Sequence, residues 1–269
     1  MKIGAISDLH IDRHPKLDAH AYLESLTRII RKRDIDILLI AGDISNHFQE
    51  SYQFIHDLKY NTSIPVLFVP GNHDYWAPDD ANTSKEIYEF YAKQPECLIG
   101  KPYVINDEWA IVGHTAWYDY SYADDKFDLD RIKRGKYYGA TWQDKVKIDW
   151  QTDDRTLSQW AASQTEKDLA NVSDKHIILM THIVTHPQFV VPTPHRIFDF
   201  FNAFIGTRDF DNLYQKYPIH YSIMGHVHFR KAIVDKGITY ICPCLGYRRE
   251  WRTDDIDTEM NHALVDFDI

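Results

Sequence analysis

The sequence of 269 residues contains few cysteines. Cys97, Cys242 and Cys244 are too few to form a disulfide framework, and such a sparse set suits a reducing compartment. The run Cys242-Pro243-Cys244 could be half of a zinc site, but the sequence has no second cysteine pair to complete it. We therefore expect buried thiols instead of a structural metal site.

Long apolar runs are also missing. Even the longest apolar stretches, such as residues 37–41, are far too short to span a bilayer. The N-terminal segment turns polar at Ser7 and Asp8, and it lacks the longer apolar region and the small-residue cleavage site of a signal peptide. These absences predict a cytoplasmic protein without a membrane segment.

Positive charge is in the minority, since 30 Lys and Arg residues stand against 40 Asp and Glu residues and the formal net charge is −10. The sequence has no basic stripe of the kind that nucleic-acid-binding proteins carry. Its strongest basic run, residues 131–136, is short and follows a group of acidic residues. We therefore expect no nucleic-acid partner. A phosphate-bearing ligand would need a local positive charge, and metal ions are the obvious source.

No linker, repeat or low-complexity run divides the chain, which favours one domain over residues 1–269. Short apolar segments alternate with amphipathic ones, and this rhythm predicts βαβ units and a largely parallel sheet. The first strands are predicted at residues 2–7, 36–41, 65–69, 110–113 and 176–180. Helices are predicted after Asp18, around residues 48–55, after Thr83 or Ser84, after an N-cap at Thr152, and over residues 197–214. Strands at 221–224, 232–235, 238–242 and 263–267 suggest a second sheet packed on the first.

A charged and unusually aromatic segment from about residue 115 to 150 interrupts this rhythm. We expect it to be an insertion that forms a cap and sets substrate choice. Its aromatic side chains would form the small core of that cap, or a wall that stacks against a flat leaving group. They are Trp117, Tyr118, Tyr120, Tyr122, Phe127, Tyr137, Tyr138, Trp142 and Trp150.

Five short polar segments stand where predicted strands run out into loops, which is where open α/β sheets place their sites. They are Asp8-Leu9-His10, Gly42-Asp43, Gly71-Asn72-His73-Asp74, Thr181-His182 and Gly225-His226-Val227-His228. Their potential ligands are carboxylates, a carboxamide and imidazoles, without a thiolate. This mixture suits Mn, Fe or Zn and argues against a structural cysteine site.

Seven of these groups are too many for one ion and suit two divalent ions that share a bridging carboxylate. They are Asp8, His10, Asp43, Asn72, His182, His226 and His228. In an extended chain Asp8 and His10 would point the same way and could bind one ion, and His226 and His228 would repeat that geometry. Two such ions attract a phosphate, clamp the oxygens of an in-line displacement and supply hydroxide near neutral pH.

As an ordered set, these blocks resemble the calcineurin-like metallophosphoesterase superfamily, whose pattern is D-x-H, G-D, G-N-H-D/E, H and G-H-x-H. The resemblance implies an α/β fold of two mixed β-sheets packed as a sandwich with helices outside. It also implies one metal on Asp8, His10 and His228, another on Asn72, His182 and His226, and Asp43 as the bridge. His73 would lie over the substrate, stabilising the transition state or protonating the leaving oxygen, with Asp74 as its supporting partner.

The sequence thus predicts a phosphoesterase that hydrolyses phosphomonoesters or phosphodiesters of small or nucleotide-like molecules. Two alternatives stay open: a protein serine/threonine phosphatase, and a metal-binding scaffold that has lost catalysis. A capped aromatic pocket favours small esters, whereas an open groove would favour a protein substrate. The sequence does not decide the oligomeric state, or whether the substrate touches any of five nearby residues. These are His114, His186, Tyr247, Arg248 and Arg249.

Overall fold

Two β-sheets face each other in the computed structural model, which describes residues 1–76 and 82–269. Three strands of the first sheet run parallel, and a C-terminal strand pairs antiparallel with the first of them. They are β1 (Lys2–Ile6), β2 (Ile37–Ile40), β3 (Val66–Phe68) and the antiparallel β12 (Val265–Asp268). The three parallel strands are mostly apolar because both faces of the sheet are covered.

The second sheet has four parallel strands in the middle and an antiparallel strand at each edge. In spatial order they are β10 (Arg230–Asp235), β11 (Ile238–Pro243), β9 (Ile219–Ile223), β8 (His176–Thr181), β5 (Trp109–His114) and β4 (Tyr103–Val104). A separate hairpin joins β6 (Lys136–Tyr137) to β7 (Ala140–Thr141). The predicted fold of two mixed sheets flanked by helices is confirmed.

Side-chain alternation along the strands divides the core into two layers. Ile37 and Leu39 join Ile111 and Ile178 in the cluster between the sheets. Leu38 points the other way and packs under the helices. The helices are α1 (Ala19–Arg33), α2 (Phe48–Thr62), α3 (Ser84–Lys93), α4 (Leu129–Lys133), α5 (Asp144–Lys147), α6 (Asp154–Ala170), α7 (Phe198–Phe201), α8 (Asp211–Lys216) and α9 (Ile256–Ala263). None of the helices in the described ranges has the length and apolar character that crossing a membrane requires.

Two sequence-based assignments of helices are corrected. The N-cap of α6 is Asp153, not Thr152, because the Asp153 carboxylate accepts the Thr156 N–H at 3.2 Å. Residues 197–214 do not form one helix: α7 and α8 are separated where Gly206 bridges Val184, and a Cβ at Gly206 would lie 2.6 Å from the Val184 carbonyl oxygen. The short helices α4 and α5 and the C-terminal helix α9 were not predicted.

The aromatic segment 115–150 packs onto the main core. Trp117 and Tyr118 are buried, and the ring of Tyr118 meets that of Phe204 edge to face at 5.3 Å. The ring of Trp142 stacks on that of Phe204, with the centroids 5.3 Å apart and an interplanar angle of 15°. Aromatic pairs of this kind each contribute roughly 0.5–1.5 kcal/mol beyond the area they bury. The segment is therefore held in a fixed position relative to the strand ends.

Candidate metal centre

The seven predicted ligands all lie just beyond the carboxyl ends of parallel strands. Asp8 and His10 follow β1, Asp43 follows β2, Asn72 follows β3, His182 follows β8, and His226 and His228 follow β9. The two sheets approach each other here, because Ser7 forms a parallel bridge with Cys244 beyond β11. The sandwich therefore brings together side chains that are more than 200 positions apart in the sequence.

Asp8, His10, Asp43 and His228 form the first group of side chains, and their ligand atoms lie within 4.8 Å of one another. The Nε2 atoms of His10 and His228 are 3.1 Å apart, and His228 Nε2 lies 3.3 Å from Asp8 Oδ1. Asp43 Oδ2 is 3.7 Å from His10 Nε2. Two imidazole nitrogens and two carboxylates at these distances could hold one divalent cation.

Asp43, His182 and His226 form the second group and share Asp43 with the first. His182 Nδ1 lies 2.8 Å from the Ala41 carbonyl, and His226 Nε2 lies 2.9 Å from the Phe204 carbonyl. Since a carbonyl oxygen can only accept, these ring nitrogens are the donors. In the neutral rings, the lone pairs of His182 Nε2 and His226 Nδ1 therefore remain free for a cation.

Asn72 completes the second group. Its Oδ1 lies 2.9 Å from both His182 Nε2 and His226 Nδ1, and its Nδ2 donates to Asp144 Oδ1 at 2.9 Å. With neutral imidazoles, three acceptor atoms converge without a donor between them, which is favourable only around a cation. The donor set thus fits two divalent ions that share Asp43.

At His182 and His228 the nearby carboxylates favour the protonated imidazole. Burial disfavours the charged form of His182, but Asp43 outweighs it and raises the pKa to about 9. Asp8 and Glu250 likewise outweigh the burial of His228 and raise its pKa to about 10. A metal cation would replace these protons, because a metal and a proton compete for the same nitrogen lone pairs.

Five of the seven predicted ligands have left-handed backbone conformations. The φ angles are 54° at Asp8, 45° at His10, 55° at Asp43, 73° at His226 and 53° at His228. The expected extended geometry of these segments is therefore wrong. Turns bring Asp8 and His10 together, and His226 and His228 belong to different groups. Each such residue costs roughly 1–2 kcal/mol, and this kind of strain gathers at functional sites.

Two glycines of the polar segments are required by close approach of the backbone to the ligands. A Cβ on Gly71 would overlap the carboxylate of Asp43, and one on Gly225 would lie 2.7 Å from Asp8 Oδ2. Real side chains do not make such contacts with these atoms. Both positions therefore need glycine for the carboxylates to keep their places.

His73 lies at the edge of the centre with its Nε2 towards the cleft. Its Nδ1 is 2.7 Å from Asn46 Oδ1, and the Asn46 amide is oriented by its own Nδ2, which donates to Asp12 at 2.5 Å. The imidazole stacks on Trp76 with the ring centroids 3.9 Å apart. Its Nε2 lies 3.3 Å from the hydroxyl of Tyr247. These contacts fix the ring and leave one nitrogen for a substrate.

Asp74 contacts backbone amides and not His73. Its carboxylate accepts the N–H groups of Gly71 at 2.7 Å, Asp43 at 2.8 Å and Ile44 at 3.1 Å, and the Ser51 hydroxyl at 2.7 Å. Asp74 therefore ties the Gly71 segment to the Asp43 segment. The predicted role as the partner of His73 is corrected, because Asn46 occupies that place.

A cleft of about 440 Å³ opens onto both groups. The guanidinium groups of Arg13 and Arg249 approach the ring of Tyr247 at 5.7 and 4.7 Å, and that ring stacks on His10 at 4.4 Å. All three side chains line the cleft. The remaining walls include residues 141–144 of the aromatic segment together with Val191 and Phe198.

Three of the residues for which the sequence left substrate contact open lie away from the cleft. His114 Nδ1 accepts the Ala116 N–H at 3.0 Å, and the His114 ring packs among aromatic residues of the core. His186 lies 3.3 Å from Asp235 Oδ2, and Arg248 pairs with Asp254. His114, His186 and Arg248 are not among the described residues that line the cleft.

Three residues that orient the site were not predicted from the sequence. Asn46 holds His73, Asp144 holds Asn72, and Glu250 accepts the Nδ1 proton of His228 at 2.6 Å. Each is a single polar residue outside the polar segments at the strand ends. Glu250 directly follows a suspected residue, Arg249, and no spacing pattern points to the other two.

Comparison with known proteins finds similarity to phosphoesterases. A family model described as calcineurin-like phosphoesterase matches residues 1–230. A probable cyclic nucleotide phosphodiesterase of Fibrobacter succinogenes is 35% identical over 79 residues, which cover 28% of this chain and 31% of that protein. A probable cyclic nucleotide phosphodiesterase of Vesicomyosocius okutanii is 31% identical over 105 residues, with 38% and 42% covered. The aligned part thus spans less than half the length of these two relatives.

One solved structure is similar over its whole length. The crystal structure of a phosphopantetheinyl hydrolase from Mycobacterium tuberculosis has a TM-score of 0.78 to this chain at 18% identity, with 99% of this chain and 95% of that chain covered. At this level of identity the likeness shows a shared fold.

Proposed function

The chain belongs to the calcineurin-like phosphoesterase family, and we propose that it hydrolyses phosphodiesters or phosphomonoesters of small, nucleotide-like molecules at a centre of two divalent metal ions. Mn, Fe or Zn suits the mixed oxygen and nitrogen ligands. The names of the two phosphodiesterase relatives support diesters as substrates. The three free cysteines are buried, in keeping with a cytoplasmic location.

The observation that carries this proposal is the shared carboxylate. Asp43 belongs to both groups of ligand atoms, with Oδ2 towards His10 and Oδ1 towards His182 at 3.3 Å. Two cations held by these two groups would share Asp43 and could both act on a single phosphate group. When bound, such a pair supplies Lewis acidity and lowers the pKa of water.

The chain's own residues would place the substrate. Arg13 and Arg249 bring positive charge to the cleft of an otherwise acidic protein, so that a phosphate is attracted to this face. His73 presents its Nε2 beside Tyr247, where it can hold or deliver a proton. The segment 115–150 would act as the cap, and the place of its residues 141–144 in the wall of the cleft supports a small ester over the flat surface of a folded protein.

A metal-reconstitution assay tests the function. Protein stripped with a chelator and reloaded with Mn²⁺, Fe²⁺ or Zn²⁺ is expected to bind close to two ions per chain by elemental analysis and to hydrolyse bis(p-nitrophenyl) phosphate. Removal of the metal should abolish turnover. A panel with phosphomonoesters and a phosphoserine peptide separates the substrate classes. No bound metal under saturating conditions would contradict the proposal, and turnover of the peptide alone would favour a protein phosphatase.

Trp142 is expected to select the group attached to phosphorus. It lines the cleft, and its ring lies 5.8 Å from His226. Replacing Trp142 with alanine should lower kcat/KM for aryl esters about tenfold relative to small alkyl esters, because an aromatic contact contributes roughly 1 kcal/mol or somewhat more.

The matched control for this prediction is Trp160→Ala. Trp160 is 39% exposed and lies outside the described lining of the cleft. The Trp160 variant should keep the wild-type preference for aryl over alkyl esters. An unchanged preference in both variants would mean that Trp142 does not contact the group attached to phosphorus.

A further inference from the structure

The aromatic segment delivers one buried carboxylate to the metal centre. Asp144 is 3% exposed and accepts three N–H groups: the Asn72 amide at 2.9 Å, the Trp76 indole at 2.8 Å and the Trp142 indole at 2.9 Å. The hydroxyl of Tyr118 lies 3.5 Å away. Each of the three N–H donors belongs to a different part of the site described above.

We propose that Asp144 is a positioning residue that presents the Asn72 oxygen to the second metal ion and so makes that ion's binding depend on the aromatic segment. The proposal rests on the proposed two-metal function. A carboxamide is nearly symmetric in shape, and without a partner its oxygen and nitrogen can exchange places by rotation. Asp144 accepts at the nitrogen, and this leaves the oxygen facing His182 and His226.

The same carboxylate reaches the other functional groups through two tryptophans. Trp76 forms the surface on which the His73 ring stacks at 3.9 Å, and Trp142 forms part of the cleft wall. Both indoles donate to Asp144. A substitution at Asp144 should therefore shift Trp76, which supports His73, and Trp142, which forms the cleft wall, as well as Asn72. We therefore expect effects on both metal affinity and turnover, and not on stability alone.

The acceptor must be a carboxylate. Three N–H donors converge on Asp144, and an amide side chain would turn its own N–H₂ towards at least one of them. No salt bridge compensates the charge of Asp144 within residues 1–76 and 82–269. Burying a charge without a cationic partner is costly, so the position is unlike a structural ion pair. The two proposed cations beyond Asn72 would compensate it.

A second buried carboxylate in the same aromatic region offers a matched control. Asp154 is 7% exposed and accepts the Trp117 indole N–H at 2.9 Å and the hydroxyl of Tyr120, and it pairs with Lys145. It therefore resembles Asp144 in burial and in its aromatic donors. It differs in having no contact with Asn72, so its replacement should disturb packing without disturbing the metal.

The experiment compares Asp144→Asn with Asp154→Asn by calorimetric titration of the stripped full-length proteins with Mn²⁺. Loss of a partner that orients a metal ligand typically weakens metal affinity or activity roughly 10–100-fold. We expect Asp144→Asn to weaken one of the two sites by that factor, and to keep a reduced kcat when Mn²⁺ is saturating. Asp154→Asn should titrate like the wild type even if its melting temperature falls.

Two results would overturn the proposal while the wild type still binds two ions: unchanged affinity in Asp144→Asn, or an equal loss in both variants. If the wild type itself bound no metal, the proposed function would fail first. If Asp144→Asn does not fold, Trp142→Phe and Trp117→Phe replace the pair, since each removes one indole donor and keeps the ring. A weaker site in Trp142→Phe alone supports the proposal, and identical titration curves overturn it.

Discussion

Replacing Asp43 with asparagine is expected to remove at least one of the two metal ions and to lower turnover roughly 10³-fold or more. A bound metal ion supplies several kcal/mol of transition-state stabilisation, and about 1.4 kcal/mol corresponds to a factor of ten in rate. Asparagine keeps the shape of the side chain and one oxygen. It removes the negative charge that both groups of ligands share.

The geometry around Asp43 explains why this substitution should have the largest effect among the ligands. Asp43 Oδ1 accepts the backbone N–H of His73 at 2.8 Å, and an asparagine oxygen can keep that bond. The other position would carry an N–H₂ group facing His10, where a cation is expected. A donor at that point repels a cation, whereas loss of any other ligand affects one ion only.

The measurement is elemental analysis combined with thermal unfolding in the presence and absence of metal. A ligand that binds only the folded state raises stability by about 2.7 kcal/mol at a hundred times its Kd. We expect this rise in the wild type and a smaller one, or none, in Asp43→Asn. Asp168→Asn is the control, since Asp168 is also buried but bonds to the Gly100 N–H. Two retained ions and unchanged turnover in Asp43→Asn would contradict the shared-carboxylate assignment.

The ends of the strands could be predicted from the sequence because they depend on a local change from apolar to polar residues. A run such as residues 37–41 is apolar throughout, as a strand covered on both faces requires, and it contains β2. The polar segment that follows this strand lies at the carboxyl edge of the sheet, which is where open α/β sheets place their sites. Convergence of Asp43 with His182 then follows from the packing of two sheets, which the family resemblance supplied.

The turns at these strand ends could not be predicted from alternation. Asp8 and His10 were expected in an extended chain, but both have positive φ, which a sequence reveals only where glycine or asparagine stands. The strain is held by long-range contacts, such as the His226 N–H that reaches Asp8 across the two sheets at 3.1 Å. The secondary-structure propensities of single residues do not indicate such long-range contacts.

The orienting residues were missed for a related reason. Asp144 and Asn72 are 72 positions apart, and a lone aspartate in a charged segment is normally solvated. The break at Gly206 was missed because it depends on the approach of Val184 from another strand end. In each case the deciding contact is between segments whose relative position appears only in the folded chain.

Replacing His73 with alanine is expected to leave both metal ions bound and to lower turnover roughly 10²–10⁴-fold, the range of general acid and electrostatic contributions. His73 is not among the residues grouped around either proposed ion. Its backbone N–H, which bonds to Asp43, is kept in the variant. The loss should therefore appear in kcat at saturating metal.

The leaving group separates the two roles that His73 could have. If His73 protonates the leaving oxygen, the loss should be large for alkyl esters and small for p-nitrophenyl esters, because nitrophenolate leaves without a proton. If His73 stabilises charge on the phosphate, the loss should be similar for both. The Nδ1 bond to Asn46 directs Nε2 to the cleft in either case, so the structure supports both roles and the comparison of rates decides between them.

The control for His73→Ala is His114→Ala, because both histidines are buried and His114 packs beside Tyr88 and Trp160 away from the cleft. Removal of the His114 ring should lower the free energy of unfolding because it leaves a cavity. It should leave kcat and metal content unchanged. A His73 variant that kept wild-type rates on an alkyl ester would exclude it from the reaction. A His73 variant that lost metal would instead make it a ligand, and the stacking on Trp76 would then have to be explained as support for that ligand.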